Sequence, residues 1–178
     1  MRIVSGKFRG RTLLTFDGFD IRPTSDKVRE SLFNILQFKI PDSDFLDLYC
    51  GTGAMGIEAL SRGANYVLLN DLNRDSVMLA KKNIEKIGNP EGIEVVKSDA
   101  CALLDTTAKR FDVVYIDPPY KGGFNVISVE KSKRVLKDDG IIILESETPF
   151  EESILGLEKY DQRKYGRAYL TFFKREEK

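Results

Sequence analysis

From residue 44 to residue 147 the chain repeats one alternation. Short apolar runs, "DFLDLYC" (44–50), "NYVLLND" (65–71), "IEVVKSD" (93–99), "FDVVYID" (111–117) and "GIIILESE" (140–147), are separated by segments of helical periodicity. Runs of this length, rich in β-branched residues, read as strands buried on both faces. The spacing predicts helices over about 54–61 and 75–87, a short one near Cys101, and one ending near Leu136. Strands alternating with helices give βαβ units and a parallel, doubly wound sheet. The rhythm changes in "LEKYDQRKYGRAYLTFFKR" (157–175), where two strand-like runs join near Tyr165, Gly166 and Arg167 with no helix between them. This predicts an antiparallel hairpin closing the sheet. Upstream, "DKVRESLFNILQF" places Val28, Leu32, Phe33, Ile35 and Leu36 at helical spacing, with Ser25 or Asp26 as a cap. The first segment, "MRIVSGKFRGRTLL", alternates β-formers with Arg2, Lys7, Arg9 and Arg11 and is expected to turn at Gly6 or Gly10 as a small basic hairpin. The expected fold is α/β: a mostly parallel seven-stranded sheet with a small N-terminal β-hairpin and helix. We expect one domain over 1–178, with 1–40 an extension on a core of 41–178.

Composition narrows the chemistry. Lysines plus arginines equal aspartates plus glutamates at 28 each, so any attraction to nucleic acid must be local. Histidine is absent, and Cys50 and Cys101 form no C-x-x-C pair, which predicts no metal site and no imidazole base. Catalysis would use carboxylates, backbone groups or a cofactor. No opening segment resembles a signal peptide and no apolar run approaches the roughly 20 residues of a membrane span. The expected setting is a reduced cytoplasm, away from membranes.

In open α/β sheets ligands lie beyond the carboxyl ends of the strands. The first core strand runs into "LDLYCGTGAMG", with Asp47 followed by Gly51, Gly53 and Gly56. Glycines at this spacing allow a tight turn and close approach of a ligand to the backbone, although a turn made only to pack a helix on a strand is as common. Asp71 ends the next strand, roughly 20 residues after the loop, where an acid can hold a ribose diol. Asp99 ends the third. Each acid alone would more often cap a helix or face solvent, but together they favour a nucleoside ligand. Asp47 would repel a pyrophosphate and attract the ammonium of a methionine moiety, which argues for S-adenosylmethionine over NAD. Cys50 reads better as a small residue in a tight loop than as a nucleophile.

The fourth strand ends in "DPPY", Asp117 to Tyr120. The prolines fix the backbone and remove two N–H donors, leaving a carboxylate and carbonyls as an acceptor cluster beside the flat face of Tyr120. An exocyclic base amine fits that cluster. Its nitrogen is a poor nucleophile, and hydrogen bonds from its two N–H groups to Asp117 and the Pro118 carbonyl would draw charge toward nitrogen as it attacks a methyl group. A proline-stiffened loop with a core tyrosine is the plainer alternative.

The order "LDLYCGTGAMG", "ND", "SDA", "DPPY" resembles the class I S-adenosylmethionine-dependent amino-methyltransferases, whose fold is Rossmann-like. With "RIVSGKFRGRTL", "RPTSDKVRESLFNIL" and "GIEALSRGA", the chain closely resembles the RsmD family of bacterial ribosomal RNA guanine-N2 methyltransferases over nearly its whole length. The resemblance implies methylation of a guanine N2 in small-subunit (16S) ribosomal RNA, in a subunit or assembly intermediate. It implies a cofactor loop from Asp47 to Gly56, including Tyr49, Gly51, Thr52 and Gly53. It further implies ribose binding at Asp71 with Leu72, an adenine neighbourhood at Asp99 and Ala100, and Thr24 and Arg29 close to the cofactor or RNA. RNA contacts are implied for Arg2, Lys7, Arg9, Arg11 and Arg22, and the catalytic segment for Asp117, Pro118, Pro119 and Tyr120. Asp71, Tyr120 and Ile35 depart from the family's commoner glutamate, phenylalanine and tryptophan.

Three other functions compete. A DNA adenine-N6 methyltransferase shares the D-P-P-Y chemistry but usually needs a sequence-reading domain for which this chain has little room. A protein glutamine methyltransferase usually has Asn at the position of Asp117. A non-catalytic ribosome-assembly factor would not need every motif intact. The N-terminal cations could equally be a solvated hairpin face; Phe8 interleaved among them favours an RNA contact.

Overall fold

The computed structural model describes residues 1–16, 24–119 and 123–176, the side chains of residues 24 and 25 apart. Five helices and seven strands follow in the order α1 (Thr24–Ile35), β1 (Asp44–Asp47), α2 (Ala54–Ser61), β2 (Tyr66–Asp71), α3 (Arg74–Lys86), β3 (Ile93–Lys97), α4 (Ala100–Thr106), β4 (Phe111–Ile116), α5 (Phe124–Ser132), β5 (Leu136–Ser146), β6 (Leu157–Tyr165) and β7 (Ala168–Arg175). The strands form one sheet in the order β3-β2-β1-β4-β5-β7-β6. Strands β1 to β5 pair in parallel, whereas β7 lies antiparallel between β5 and β6. The α/β fold and the closing hairpin are those expected from the sequence.

Alternation along the strands divides the core into two layers. Phe45, Val67, Val113 and Ile143 face α1, α2 and α3 through Val28, Leu32, Ile57 and Ala80. Leu46, Leu68, Val114 and Ile142 face α4 and α5 through Leu104 and Val129. Each such side chain, once fully buried, contributes roughly 1.5–3 kcal/mol, so a strand slipped by one residue would lose both layers. The sheet order reverses between β1 and β4, and the crevice above that switch is where a ligand is expected.

The N-terminal segment folds back as the expected hairpin in reduced form. One antiparallel bridge, Arg2 to Thr12, joins its arms, with the Ile3 N–H on the Arg11 carbonyl and the Leu13 N–H on the Met1 carbonyl, both at 3.0 Å. The donors of the stretch between the arms are spent on α2: Lys7 N–H on the Ser61 carbonyl, Phe8 N–H on Ser61 Oγ, and Val4 and Ser5 N–H on the Glu58 carboxylate. Gly6, at φ 81°, makes the turn that brings the backbone there, where a Cβ would lie 1.8 Å from the Ser61 carbonyl oxygen. Asp26 lies within the first turn of α1 and pairs with Arg29 instead of capping the helix. Helix α5 ends at Ser132, a 3-10 turn covers Lys133–Val135, and Leu136 already belongs to β5 opposite Phe111. A register shift between Phe111 and Val113 then carries β5 across Asp138 and Asp139.

Candidate active site

The strand β1 ends at Asp47, and the chain then turns through Leu48 to Gly53 into α2. Gly51 (φ 51°) and Gly53 (φ 79°) hold left-handed conformations that a side chain would strain. A Cβ on Gly51 would meet nothing within 4 Å, whereas one on Gly56 would lie 2.2 Å from Leu69 Cδ2 and 2.7 Å from Val67 Cγ1. Gly51 thus leaves room above the loop, and Gly56 lets α2 pack on β2. The loop is braced from β2: the Gly51 N–H donates to Asp71 Oδ2 at 2.9 Å, the Asn73 N–H to Asp71 Oδ1 at 2.8 Å, and the Cys50 N–H to the Asn70 carbonyl at 2.8 Å.

A cavity of about 190 Å³ opens beside this loop, between the strand ends and α1. Asp47, Asp117 and Glu145 bring three carboxylates to it from the ends of β1, β4 and β5; Arg29, Tyr49, Thr52 and Tyr115 also line it. Asp47 is 1% exposed. Its Oδ2 accepts a long bond from the Gly56 N–H at 3.3 Å, and its Oδ1 has no hydrogen-bond partner. Burial pushes its carboxyl up to about 8, the Gly56 N–H opposes the rise, and nearby Asp71 adds to it. Arg29, 2% exposed, donates to the Arg2 carbonyl at 2.6 Å and to Asp26 at 2.9 Å. Its Nε is buried without a hydrogen-bond acceptor, 3.7 Å from Glu58 Oε2. Arg29 therefore reaches the cavity wall and also fastens the N-terminal segment.

Of the other cofactor positions, Tyr49 shares a 2.8 Å bond with Ser128 on α5, and burial raises its hydroxyl pKa. Leu72 is 62% exposed, an apolar face next to Asp71. Asp99 caps α4 by accepting from the Ala102 N–H at 3.0 Å, and Ala100 is buried in the first turn of that helix. Burial, with Asp47 and Asp71, drives the Cys50 thiol far up, so it stays protonated and is no nucleophile.

Asp117 follows the last residue of β4 and lines the cavity; Pro118 is buried and Pro119 exposed. Tyr120, Arg22 and the Thr24 side chain lie outside the described residues. Arg2, Lys7, Arg9 and Arg11 are exposed, as RNA contacts require, but Arg11 spends a guanidinium N–H on the Ile87 carbonyl at 2.7 Å. Phe8 is 5% exposed, beneath Lys7 and Arg11. It is a core residue, and its place among the cations serves packing and not RNA stacking.

Several residues that shape the site carry no local signal. Glu58, wholly buried on α2, accepts from Val4, Ser5 and Arg62. Asn83, wholly buried on α3, donates to the carbonyls of Thr52 and Leu14 and accepts from the Leu14 N–H. Glu145 and Met1 line the cavity. The segment "GIEALSRGA" contains Glu58, Ser61 and Arg62, yet only the fold shows what they hold. Among the described residues no group of carboxylates or cysteines is placed to bind a metal ion, and no helix is long and apolar enough to cross a membrane.

A family model described as "Conserved hypothetical protein 95" matches residues 1–174. The chain is 32% identical to the "Putative rRNA methyltransferase YlbH" of Bacillus subtilis (strain 168), over 98% of this chain and 99% of that protein. It is 38% identical to the "Ribosomal RNA small subunit methyltransferase D" of Escherichia coli (strain K12), over 83% of this chain and 75% of that one. The solved structure of the "Putative methyltransferase yhhF from Escherichia coli" superposes with a TM-score of 0.88 at 32% identity, covering 99% of this chain and 98% of that one. A match over almost the whole length, together with the glycine loop at the tip of β1 and Asp117 to Pro119 at the tip of β4, makes this chain a member of the ribosomal RNA small subunit methyltransferase D family.

Proposed function

We propose that this protein transfers a methyl group from S-adenosylmethionine to the exocyclic N2 of a guanine in small-subunit (16S) ribosomal RNA. The observation that carries the reading is that two residues lining one cavity each bury a polar atom with no hydrogen-bond partner: Asp47 its Oδ1, and Arg29 its Nε, which has only the Glu58 carboxylate at 3.7 Å. A buried polar atom without a partner is costly, and a ligand bearing both an ammonium and a carboxylate satisfies both. The methionine end of S-adenosylmethionine is such a ligand, and a dinucleotide is not. Asp71 would hold the ribose hydroxyls, Leu72 and Ala100 the faces of the adenine, and Asp99 its amino group.

The bound donor supplies an electrophilic methyl carbon on a sulfonium, which leaves as a neutral thioether. The chain's part is to position the amine. Asp117 and the Pro118 carbonyl accept its two N–H hydrogens, directing the nitrogen lone pair at the methyl carbon, and Tyr120 stacks on the base. As the N–C bond forms and the C–S bond breaks, the extra proton leaves the nitrogen through Asp117 to solvent. The names of the two relatives support ribosomal RNA as the class of acceptor. The test offers labelled S-adenosylmethionine with unmodified small-subunit particles, naked ribosomal RNA and duplex DNA, and identifies the product nucleoside by mass. N2-methylguanosine in ribosomal samples alone is expected; N6-methyladenine in DNA, or no transfer, would overturn the proposal.

A further inference from the structure

Glu145 has no part in that chemistry, yet it lines the same cavity as Asp117. Strands β4 and β5 run in parallel with Tyr115 opposite Ile143 and Ile116 opposite Leu144. Asp117 lies two residues beyond Tyr115, and Glu145 two beyond Ile143, so both carboxylates belong to the sheet face that carries Tyr115 and Ile143. Tyr115, 3% exposed, donates its hydroxyl to Glu145 Oε2 at 2.5 Å. Burial, then the neighbouring Glu145, Asp117 and Asp47 carboxylates, hold that hydroxyl well above its ordinary pKa. Tyr115 therefore stays a donor, and the bond fixes the orientation of the Glu145 carboxylate. A carboxylate has about four acceptor sites, of which the Tyr115 hydroxyl occupies one.

We propose that Glu145 selects guanine among the amino bases by accepting its N1–H while Asp117 and the Pro118 carbonyl accept the N2 hydrogens. The inference rests on the guanine-N2 reading and adds the group that reads the base. Guanine presents N1–H and N2–H₂ as adjacent donors, which match two carboxylates at neighbouring strand ends. Adenine sets a lone pair at N1 beside its amine, and cytosine sets one at N3. Either would turn that lone pair toward the Glu145 carboxylate in a confined site, where two acceptors repel. The D-P-P-Y segment accepts any base amine; Glu145 supplies the discrimination that the segment lacks. Glu145 is carried by β5 and Asp117 follows directly on β4, its hydrogen-bonded neighbour, so the separation of the two carboxylates is set by the sheet before the base arrives.

The test uses small-subunit particles reconstituted with ribosomal RNA that carries guanine, 2-aminopurine or adenine at the position the wild-type protein methylates. 2-Aminopurine keeps the 2-amino group but has a lone pair in place of N1–H. Wild-type protein should methylate it more slowly than guanine by about tenfold or more. Glu145→Gln, whose amide still accepts from Tyr115 and can turn N–H groups toward a lone pair, should shrink the guanine to 2-aminopurine ratio by about tenfold. Equal wild-type rates on the two bases, or an unchanged ratio in folded Glu145→Gln, would refute the role of Glu145. If that variant does not fold, Glu145→Gln combined with Tyr115→Phe removes the buried donor as well and carries the same comparison. Failure to form N2-methylguanosine in the guanine arm would instead sink the broader reading; N2-methylguanosine formed without discrimination against 2-aminopurine sinks only this one.

Discussion

Asp47 stands at the tip of β1 with one oxygen on a 3.3 Å bond and the other unmatched, and burial raises its pKa from 3.8 to about 8. Between those values the folded protein keeps a proton that the unfolded chain has released. The stability contributed by this group is therefore present in full below about pH 4, falls as pH rises toward 8 and is level beyond it. A bound ammonium reverses the preference, because it stabilises the ionised form. Affinity for S-adenosylmethionine should accordingly rise between about pH 6 and 7.5, below the titration of the donor's own α-amino group. Asp47→Asn should flatten that rise, weaken binding by about tenfold or more, and raise the melting temperature of the ligand-free protein at pH 8.5. Calorimetric titration across that range and a melting curve check the three together; a pH-independent wild-type affinity would detach Asp47 from the donor. Asp117, on the same wall, should behave differently. Asp117→Ala should lower methyl transfer by at least roughly a hundredfold while the donor's Kd moves by less than about threefold, because the proposed mechanism gives this side chain the base and not the donor. Single-turnover rates beside equilibrium binding separate these quantities, and a variant that keeps most of its turnover would refute the acceptor-cluster chemistry.

At the scale of elements, the N-terminal segment owes its place to α2. Glu58, with no exposed surface, gathers the N–H groups of Val4 and Ser5 at 2.8 and 3.0 Å and the Arg62 guanidinium at 2.7 Å. Removing the carboxylate strands those donors and takes one of two carboxylates, Glu58 and Asp26, from the buried Arg29, a loss of about 3–5 kcal/mol. Glu58→Ala should thus lower the melting temperature by roughly 6–15 °C and expose the amides of residues 3–8 to hydrogen exchange sooner than those of β4. Uniform protection across both segments would deny Glu58 this role. Sequence periodicity marked every strand from β1 to β7, because two-faced burial and turn residues are local properties. It also marked Asp47, Asp71, Asp99 and Asp117, because a carboxylate at the end of an apolar run is a local anomaly. The contacts of Glu58 with Val4, of Asn83 with Leu14 and of Tyr115 with Glu145 span 54, 69 and 30 residues. No window of sequence contains both partners, so the clamp on the N-terminus and the second carboxylate above β5 became visible only with the fold. The same limit hid how short the N-terminal hairpin is: its arms meet at one bridge, Arg2 to Thr12, and the N–H groups of Val4, Ser5, Lys7 and Phe8 between them are answered by α2.

Over the whole molecule the charges sum to zero, yet they are not evenly spread. Residues 1–16 contain Arg2, Lys7, Arg9 and Arg11 and no acidic residue. This segment reaches the cavity, since Met1 lines it and its Sδ lies 3.9 Å from Thr52 Oγ1. Bound RNA phosphates would thereby lie next to the carboxylates that receive the base, and the acidic pocket would repel backbone that strays inward. The four cations are not equivalent. Arg11 is bonded to the end of α3 through Ile87, so replacing it would disturb docking as well as charge. Lys7 and Arg9 are exposed and separate the two effects. Lys7→Glu combined with Arg9→Glu should weaken binding to ribosomal RNA by about tenfold or more and reduce the slope of log K against log salt by roughly 1.5 to 2. Affinity for S-adenosylmethionine should remain that of the parent, since neither side chain lines the cavity. Filter binding at several salt concentrations supplies the slope. A variant that binds RNA as the parent does, with the same slope, would make the cluster a solvated face and move the RNA contact elsewhere on a protein with no net charge to attract it.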